Sequence, residues 1–177
     1  MARSSRVLIM TEDRYGKDLL RELISRLKTL KPIRKSLKIK LEWFPGKCSP
    51  KLGRILRSRI LLSKSRLDKI IIVADAEGSN KIQAKNLVEQ HVPLNFRGIT
   101  KYVIFNYCIE EWICEGLGIQ VSLQHPVDCL NDYLRRTKGE DYEKYMLPEF
   151  AEQINIDKLI TNNQEFKTFV DYLNCKL

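Results

Sequence analysis

One apolar run constrains the fold of this chain more than any other feature. Residues 69–74 read Lys-Ile-Ile-Ile-Val-Ala, and Asp75, Glu77 and Gly78 follow within four positions. Successive β-branched residues without polar alternation are typical of a strand that is buried on both faces of a parallel sheet. The run therefore predicts a central strand in an α/β fold.

The segments around this run repeat the strand–helix alternation. Strands are predicted at 6–10, 37–43 and 101–107, with helices between them, as expected for a parallel sheet of about four strands flanked by helices. After residue 118 the pattern becomes mainly helical, at 126–136, 149–154 and 165–173, with a polar loop predicted over 135–143. We expect an α/β domain over 1–118 and a helical extension over 119–177 packed on it as a single structural unit.

The positive charge is concentrated in the first part of the chain. The net charge is +9, and residues 1–70 hold 20 of the 31 Lys and Arg but 6 of the 22 Asp and Glu. A helix starting after Ser49-Pro50 carries Lys51, Arg54 and Arg57. Either a polyanion such as DNA or RNA binds this surface, or the surface is simply solvated.

Several classes of protein are excluded by composition. No apolar run approaches the length of a membrane span, and the basic amino terminus lacks the apolar core of a signal peptide, so we expect a cytoplasmic protein without membrane contact. The five cysteines form no C-x-x-C pair and only two histidines are present, which disfavours a zinc site.

Acidic residues follow two of the predicted strands. Glu12 comes after the first strand, and Asp75 and Glu77 come after the third. If the two strands are neighbours, these carboxylates converge at the carboxyl edge of the sheet, where ligands bind in open α/β folds. A Mg²⁺ ion, or Mn²⁺ in its place, would relieve their repulsion. The alternative is that Asp75 or Glu12 caps the helix that follows.

Further candidates lie beside these carboxylates. Glu110 and Glu111 begin the helix after the fourth strand, where either could complete a two-metal site or simply complement the helix dipole. Lys17 could contact a phosphate or lie on a helix surface. Trp112 is expected to pack in the core rather than stack on a base.

The order of these features resembles the Toprim fold. Val7-Leu-Ile-Met-Thr-Glu12 is similar to its first motif, and Ile70-Ile-Ile-Val-Ala-Asp-Ala-Glu77 to its second. Ile109-Glu-Glu-Trp-Ile113 and Phe166-Lys-Thr-Phe-Val-Asp-Tyr-Leu173 are similar to segments of small Toprim-like proteins of bacteria and archaea, which are related to OLD-type nucleases. Two departures are visible, because Asp13 replaces the usual Gly and Glu77 replaces the commoner Asp.

The resemblance implies a function and a set of site residues. It implies phosphodiester cleavage on nucleic acid by Glu12, Asp75 and Glu77, which would hold Mg²⁺ with Glu110 or Glu111 as a further ligand. It also implies a protein partner that supplies ATPase or targeting activity.

Two other classes stay open. One is a nucleic-acid-binding module with a degenerate, non-catalytic site. The other is a receiver-like domain with Asp75 as phosphoacceptor, although receivers place a Lys after a fifth strand that the sequence does not show.

Overall fold

The computed structural model describes residues 5–30, 32–47, 49–62, 67–121 and 124–174, without the side chains of 59–62. Within these ranges Cys108, Cys114 and Cys129 are buried and form no disulfide. Cys48 and Cys175 lie outside the described residues.

A parallel sheet forms the centre of the molecule. Its strands are β1 (Arg6–Thr11), β2 (Lys38–Trp43), β3 (Lys69–Asp75) and β4 (Thr100–Phe105), in the order β2-β1-β3-β4. All pairings are parallel, and β1 lies beside β3 as the convergence of the acidic residues requires. The predicted α/β class and the four-stranded parallel sheet are confirmed for the described part of the chain.

Helices connect the strands and continue after the sheet. Between strands lie α1 (Arg14–Leu30), α2 (Lys51–Leu62), α3 (Lys81–Glu89) and the short α4 (Leu94–Arg97). After β4 come α5 (Glu110–Leu117), α6 (Pro126–Lys138), a 3₁₀ segment (Lys144–Glu152), α7 (Ile156–Asn162) and α8 (Gln164–Asn174). None of the helices in the described ranges combines the length and apolar character of a membrane-spanning segment.

The sheet separates two hydrophobic cores. Successive residues of a strand point to opposite faces, so Ile71 and Val73 of β3 face one core while Ile70 and Ile72 face the other. The smaller core lies under α2 and α3. The larger one is shared by α1 and the helices after β4, and Trp112 lies fully buried in it, as predicted.

The segment after β4 differs from its prediction in two places. The helix expected at 149–154 is a 3₁₀ segment that starts at Lys144, and α7 was not predicted. The helix predicted over 126–136 continues to Lys138 as α6, so that 137–138 are helical rather than loop, and Gly139 follows it in a left-handed conformation. Arg26 of α1 donates hydrogen bonds to the carbonyls of Ala151 and Ile154, which holds this segment against the sheet domain.

Candidate functional site

Glu12 and Asp75 meet where the strand order of the sheet reverses. Glu12 follows β1 and Asp75 ends β3, and these two strands are neighbours. The backbone N–H of Asp75 donates a hydrogen bond of 3.1 Å to Glu12 Oε1. Crevices at such reversal points are the usual ligand sites of open α/β sheets.

Neither of these two residues caps a helix. Asp13 Oδ1 accepts a hydrogen bond of 2.7 Å from the N–H of Gly16 in the first turn of α1. Asn80 caps α3 by accepting from the N–H groups of Ile82 and Gln83. The capping alternative therefore does not explain why Glu12 and Asp75 lie at this edge.

Burial and mutual repulsion make these carboxylates difficult to ionise together. Burial, with the charges of Glu12 and Glu110, raises the pKa of Asp75 to about 8. Burial also raises the pKa of Glu12, against the opposing effects of the Asp75 N–H and the Lys47 ammonium. A site of this kind favours a bound cation or a bound proton.

Glu110 is a third carboxylate near Asp75. It is 1% exposed, and its Oε1 accepts a hydrogen bond of 2.9 Å from the hydroxyl of Tyr142. Its Oε2 is buried without a hydrogen-bond partner among the described residues. Burial and the Glu110 charge also raise the pKa of the neighbouring Cys108 thiol, so that this sulfur stays protonated. A buried carboxylate oxygen without a hydrogen-bond partner is able to coordinate a cation or to accept a hydrogen bond from a ligand.

Glu77 pairs with Lys47, and its charge also acts to raise the pKa of Glu12. The chain reverses after β3, with Glu77 and Gly78 at φ values of 52° and 76°. Lys47 Nζ lies 3.0 Å from Glu77 Oε2 and donates a 2.8 Å hydrogen bond to the carbonyl of Asp75. Lys47 is 15% exposed and Glu77 70% exposed, so the ammonium lies between the open edge and the buried carboxylates.

Lys144 contributes a second ammonium from the 3₁₀ segment. Its Nζ lies 2.9 Å from Asp13 Oδ2. Burial opposes its charge, but the bond to Asp13 and the carboxylates of Glu110 and Asp75 raise its pKa overall. Lys47, Tyr142 and Lys144 were not predicted as members of the site. For Lys47, its position shortly after a strand that ends at the same edge could have indicated its role.

Glu111 has different neighbours from Glu110. It accepts a hydrogen bond from the N–H of Tyr107, and the charges nearest to it are those of Lys81 and Glu165. It lines a separate polar cleft of about 620 Å³ between α5 and the start of α8. The predicted metal ligands therefore fall into two places: Glu12, Asp75, Glu77 and Glu110 lie at one edge of the sheet, where Glu77 pairs with Lys47, and Glu111 lies apart.

The predicted basic residues lie near the same end of the sheet. Lys51, Arg54 and Arg57 are exposed on α2, and Lys17 is half-buried in the first part of α1. Arg57 lies on the side of α2 where Gly53 packs against the carbonyl of His91. A Cβ at Gly53 would lie 3.6 Å from Nη2 of Arg57. Lys51 lies on another side of the helix, where it lines a cleft with residues of β2.

The donor chemistry fits a hard divalent cation held by few protein ligands. No group of three or more His, Cys, Asp or Glu side chains is arranged to hold a metal ion within the ranges described. Mg²⁺, however, is commonly bound by one or two carboxylates together with waters and phosphate oxygens. Glu12 and Asp75 would supply such a pair.

Comparison of the chain with protein-family models, curated proteins and solved structures finds no match.

Proposed function

We propose that this protein is a Toprim-like nucleic-acid-processing enzyme that cleaves phosphodiester bonds with Mg²⁺ or Mn²⁺. The observation that carries the proposal is the contact of Glu12 with Asp75 at the point where the strand order reverses. Two half-buried carboxylates at this point, in a protein that also exposes a basic helix, suit a metal ion placed between the protein and a phosphate backbone.

Each residue has a distinct role in this proposal. Glu12 and Asp75 hold the cation, and Tyr142 orients Glu110 through its hydroxyl. When bound, the cation polarises a phosphate oxygen and makes a water molecule more acidic. Lys47 offers an ammonium at the open edge of the site, where it would contact the phosphate that is attacked.

The basic surface provides the affinity for the substrate. Lys51, Arg54 and Arg57 are exposed on α2, where they would contact phosphates of DNA or RNA without reading sequence. Each such contact adds to the salt dependence of binding, and the first 70 residues supply most of this charge. The protein partner with ATPase or targeting activity, implied by the resemblance, would select the substrate.

Metal binding and cleavage test the proposal separately. Titration calorimetry with Mn²⁺ should give binding to the wild-type protein and none to Glu12→Gln or Asp75→Asn. Incubation with labelled single- and double-stranded DNA and RNA should give metal-dependent products that both variants fail to form. Asp171→Asn, an exposed acid-to-amide change on α8, is the matched control and should behave as wild type. Cleavage that persists in the Glu12→Gln, Asp75→Asn double variant would refute the site.

A second candidate is a module that holds nucleic acid without cleaving it. Lys47 already pairs with Glu77, which favours this reading because that carboxylate then has its counter-charge within the protein. Salt-dependent binding of DNA or RNA, without Mn²⁺ binding and without products, would establish this candidate instead.

A further inference from the structure

The two tryptophans of the chain occupy opposite environments. Trp112 is 0% exposed in the large core, whereas Trp43, at the end of β2, is 41% exposed. The alternation of β2 predicts Trp43 on its apolar face together with Ile39 and Leu41. Trp43 is the last residue of β2, and Ile39 and Leu41 on the same face are themselves only partly buried.

Trp43 lines a cleft between the end of β2 and α2. The cleft has a volume of about 360 Å³, and its apolar lining comes from Trp43, Pro45 and Ile55. Lys51 and Ser58 line it from α2, one at the start of the helix and the other two turns later. An aromatic face, an aliphatic wall and an ammonium are thus exposed together.

The cleft opens at the same edge of the sheet as the carboxylates. Trp43 is the register partner of Thr11, which directly precedes Glu12, and the N–H of Phe44 donates a 2.9 Å hydrogen bond to the carbonyl of Thr11. Neighbouring strands are about 4.8 Å apart. A chain bound over Trp43 would therefore continue directly toward Glu12 and Asp75.

Basic side chains outnumber acidic ones among the described residues around the cleft, which favours an anionic ligand. Lys51 lies in the cleft and Arg54 is one helical turn away, both exposed. Glu42 also lines the cleft, and its carboxylate lies 3.9 Å from the ammonium of Lys40. The basic side chains therefore lie beside an aromatic surface.

We infer that Trp43 is a base-stacking residue and that this cleft binds single-stranded nucleic acid. The inference rests on the proposed function and names its substrate class. Unpaired bases expose their faces for stacking, whereas the bases of a duplex stack on one another. Trp43 stacks on one base while Lys51 and Arg54 contact the adjacent phosphates, which gives binding with little dependence on sequence.

Tryptophan fluorescence tests this inference directly. Because Trp112 is buried, the solvent-sensitive part of the emission comes from Trp43. Titration with a short oligothymidylate, without metal ions, should quench this emission. A duplex of equal length should quench it much less.

Substitution separates stacking from charge. Trp43→Ala should weaken oligothymidylate binding, measured by fluorescence anisotropy of a labelled strand, by roughly 5- to 100-fold. Trp43→Phe should retain most of the affinity. Leu94→Ala is the matched control, because Leu94 is 78% exposed and precedes the start of β4, at the opposite edge of the sheet. Lys51→Met should reduce the dependence of log Kd on log salt concentration by about 0.7.

The outcomes distinguish this inference from the proposed function. The stacking site would be wrong if Trp43→Ala bound oligothymidylate as tightly as wild type does. It would also be wrong if the substitution weakened duplex binding as much as oligothymidylate binding. Neither result would bear on the metal site. If the wild-type protein binds no DNA or RNA of any kind, the proposed function itself is wrong.

Discussion

Replacing Asp75 with Asn should change how the stability of the protein depends on pH. The pKa of Asp75 is raised from 3.8 to about 8 by burial and by the charges of Glu12 and Glu110. In the unfolded chain the carboxyl ionises near its ordinary pKa, whereas the folded protein keeps it protonated up to about pH 8. Between these values the unfolded state binds fewer protons, so the free energy of unfolding falls as the pH rises.

The size of the effect follows from the span of the titration. Each unit of pKa difference corresponds to about 1.4 kcal/mol, so the rise from 3.8 to about 8 sets an upper limit of roughly 6 kcal/mol between about pH 4 and pH 8. Part of this comes from repulsion by Glu12 and Glu110, and it is reduced where Glu12, whose pKa is also raised, takes up a proton. We therefore expect the free energy of unfolding of Asp75→Asn to exceed that of wild type by about 2 kcal/mol at about pH 8, and to differ little from it below pH 4.

Urea unfolding at several pH values, without divalent ions, measures this difference. Asp171→Asn, exposed on α8, serves as the control and should follow the wild-type curve. Added Mn²⁺ should stabilise the wild-type protein at about pH 8 and leave Asp75→Asn unchanged, because a ligand stabilises only the state that binds it. If the free energy of unfolding of wild type and of Asp75→Asn changed with pH in parallel, the raised pKa of Asp75 would be refuted.

Three further substitutions test other contacts of the site by urea unfolding. Lys47→Met should lower the free energy of unfolding by about 1.5–3 kcal/mol, because it removes charged hydrogen bonds at a mostly buried position. The control, Lys40→Met, should lower it by less than about 0.5 kcal/mol. Equal losses in the two variants would contradict this prediction. Gly46 and Gly78 both have φ above 70°, so replacing either with Ala should lower the free energy of unfolding, by about 1–2 kcal/mol for Gly46→Ala. Gly78→Ala should lower it more, because of the two only Gly78 would place a Cβ against an aromatic ring, at 3.1 Å. Tyr142→Phe should lose about 1–3 kcal/mol, because it leaves a buried carboxylate without its donor; no loss would show that water replaces the hydroxyl.

The sheet could be predicted from the sequence because a buried strand requires a continuous run of apolar residues. The uninterrupted apolar run of β3 predicted a strand covered on both faces, and the structure buries it on both. The acidic residues at the ends of β1 and β3 could then be placed together, because parallel neighbouring strands end at one edge.

Residues that join the site through loops and irregular segments could not be predicted in this way. Lys47 is one of 31 basic residues and lies in a turn without periodicity. Tyr142 lies in a stretch so polar that a loop was expected, yet its hydroxyl reaches a buried carboxylate 32 residues earlier in the chain. The 3₁₀ segment contains Pro148, which breaks the helical pattern that would have located Lys144.

The position of Trp43 was missed for a related reason. An apolar residue in an alternating strand is expected to be buried, but alternation does not reveal how far along the strand the packed core extends. Only the structure shows that the core stops short of the last residue of β2, which is left 41% exposed.

Lys47 has a consequence for any cation or phosphate that enters the site. Its ammonium pairs with Glu77 and donates a hydrogen bond to the carbonyl of Asp75. Under the proposed function, a divalent ion held by Glu12 and Asp75 would repel this ammonium from the site. A phosphate oxygen of the bound nucleic acid would then give the ammonium a new partner. Metal and substrate would thus strengthen each other's binding through one side chain.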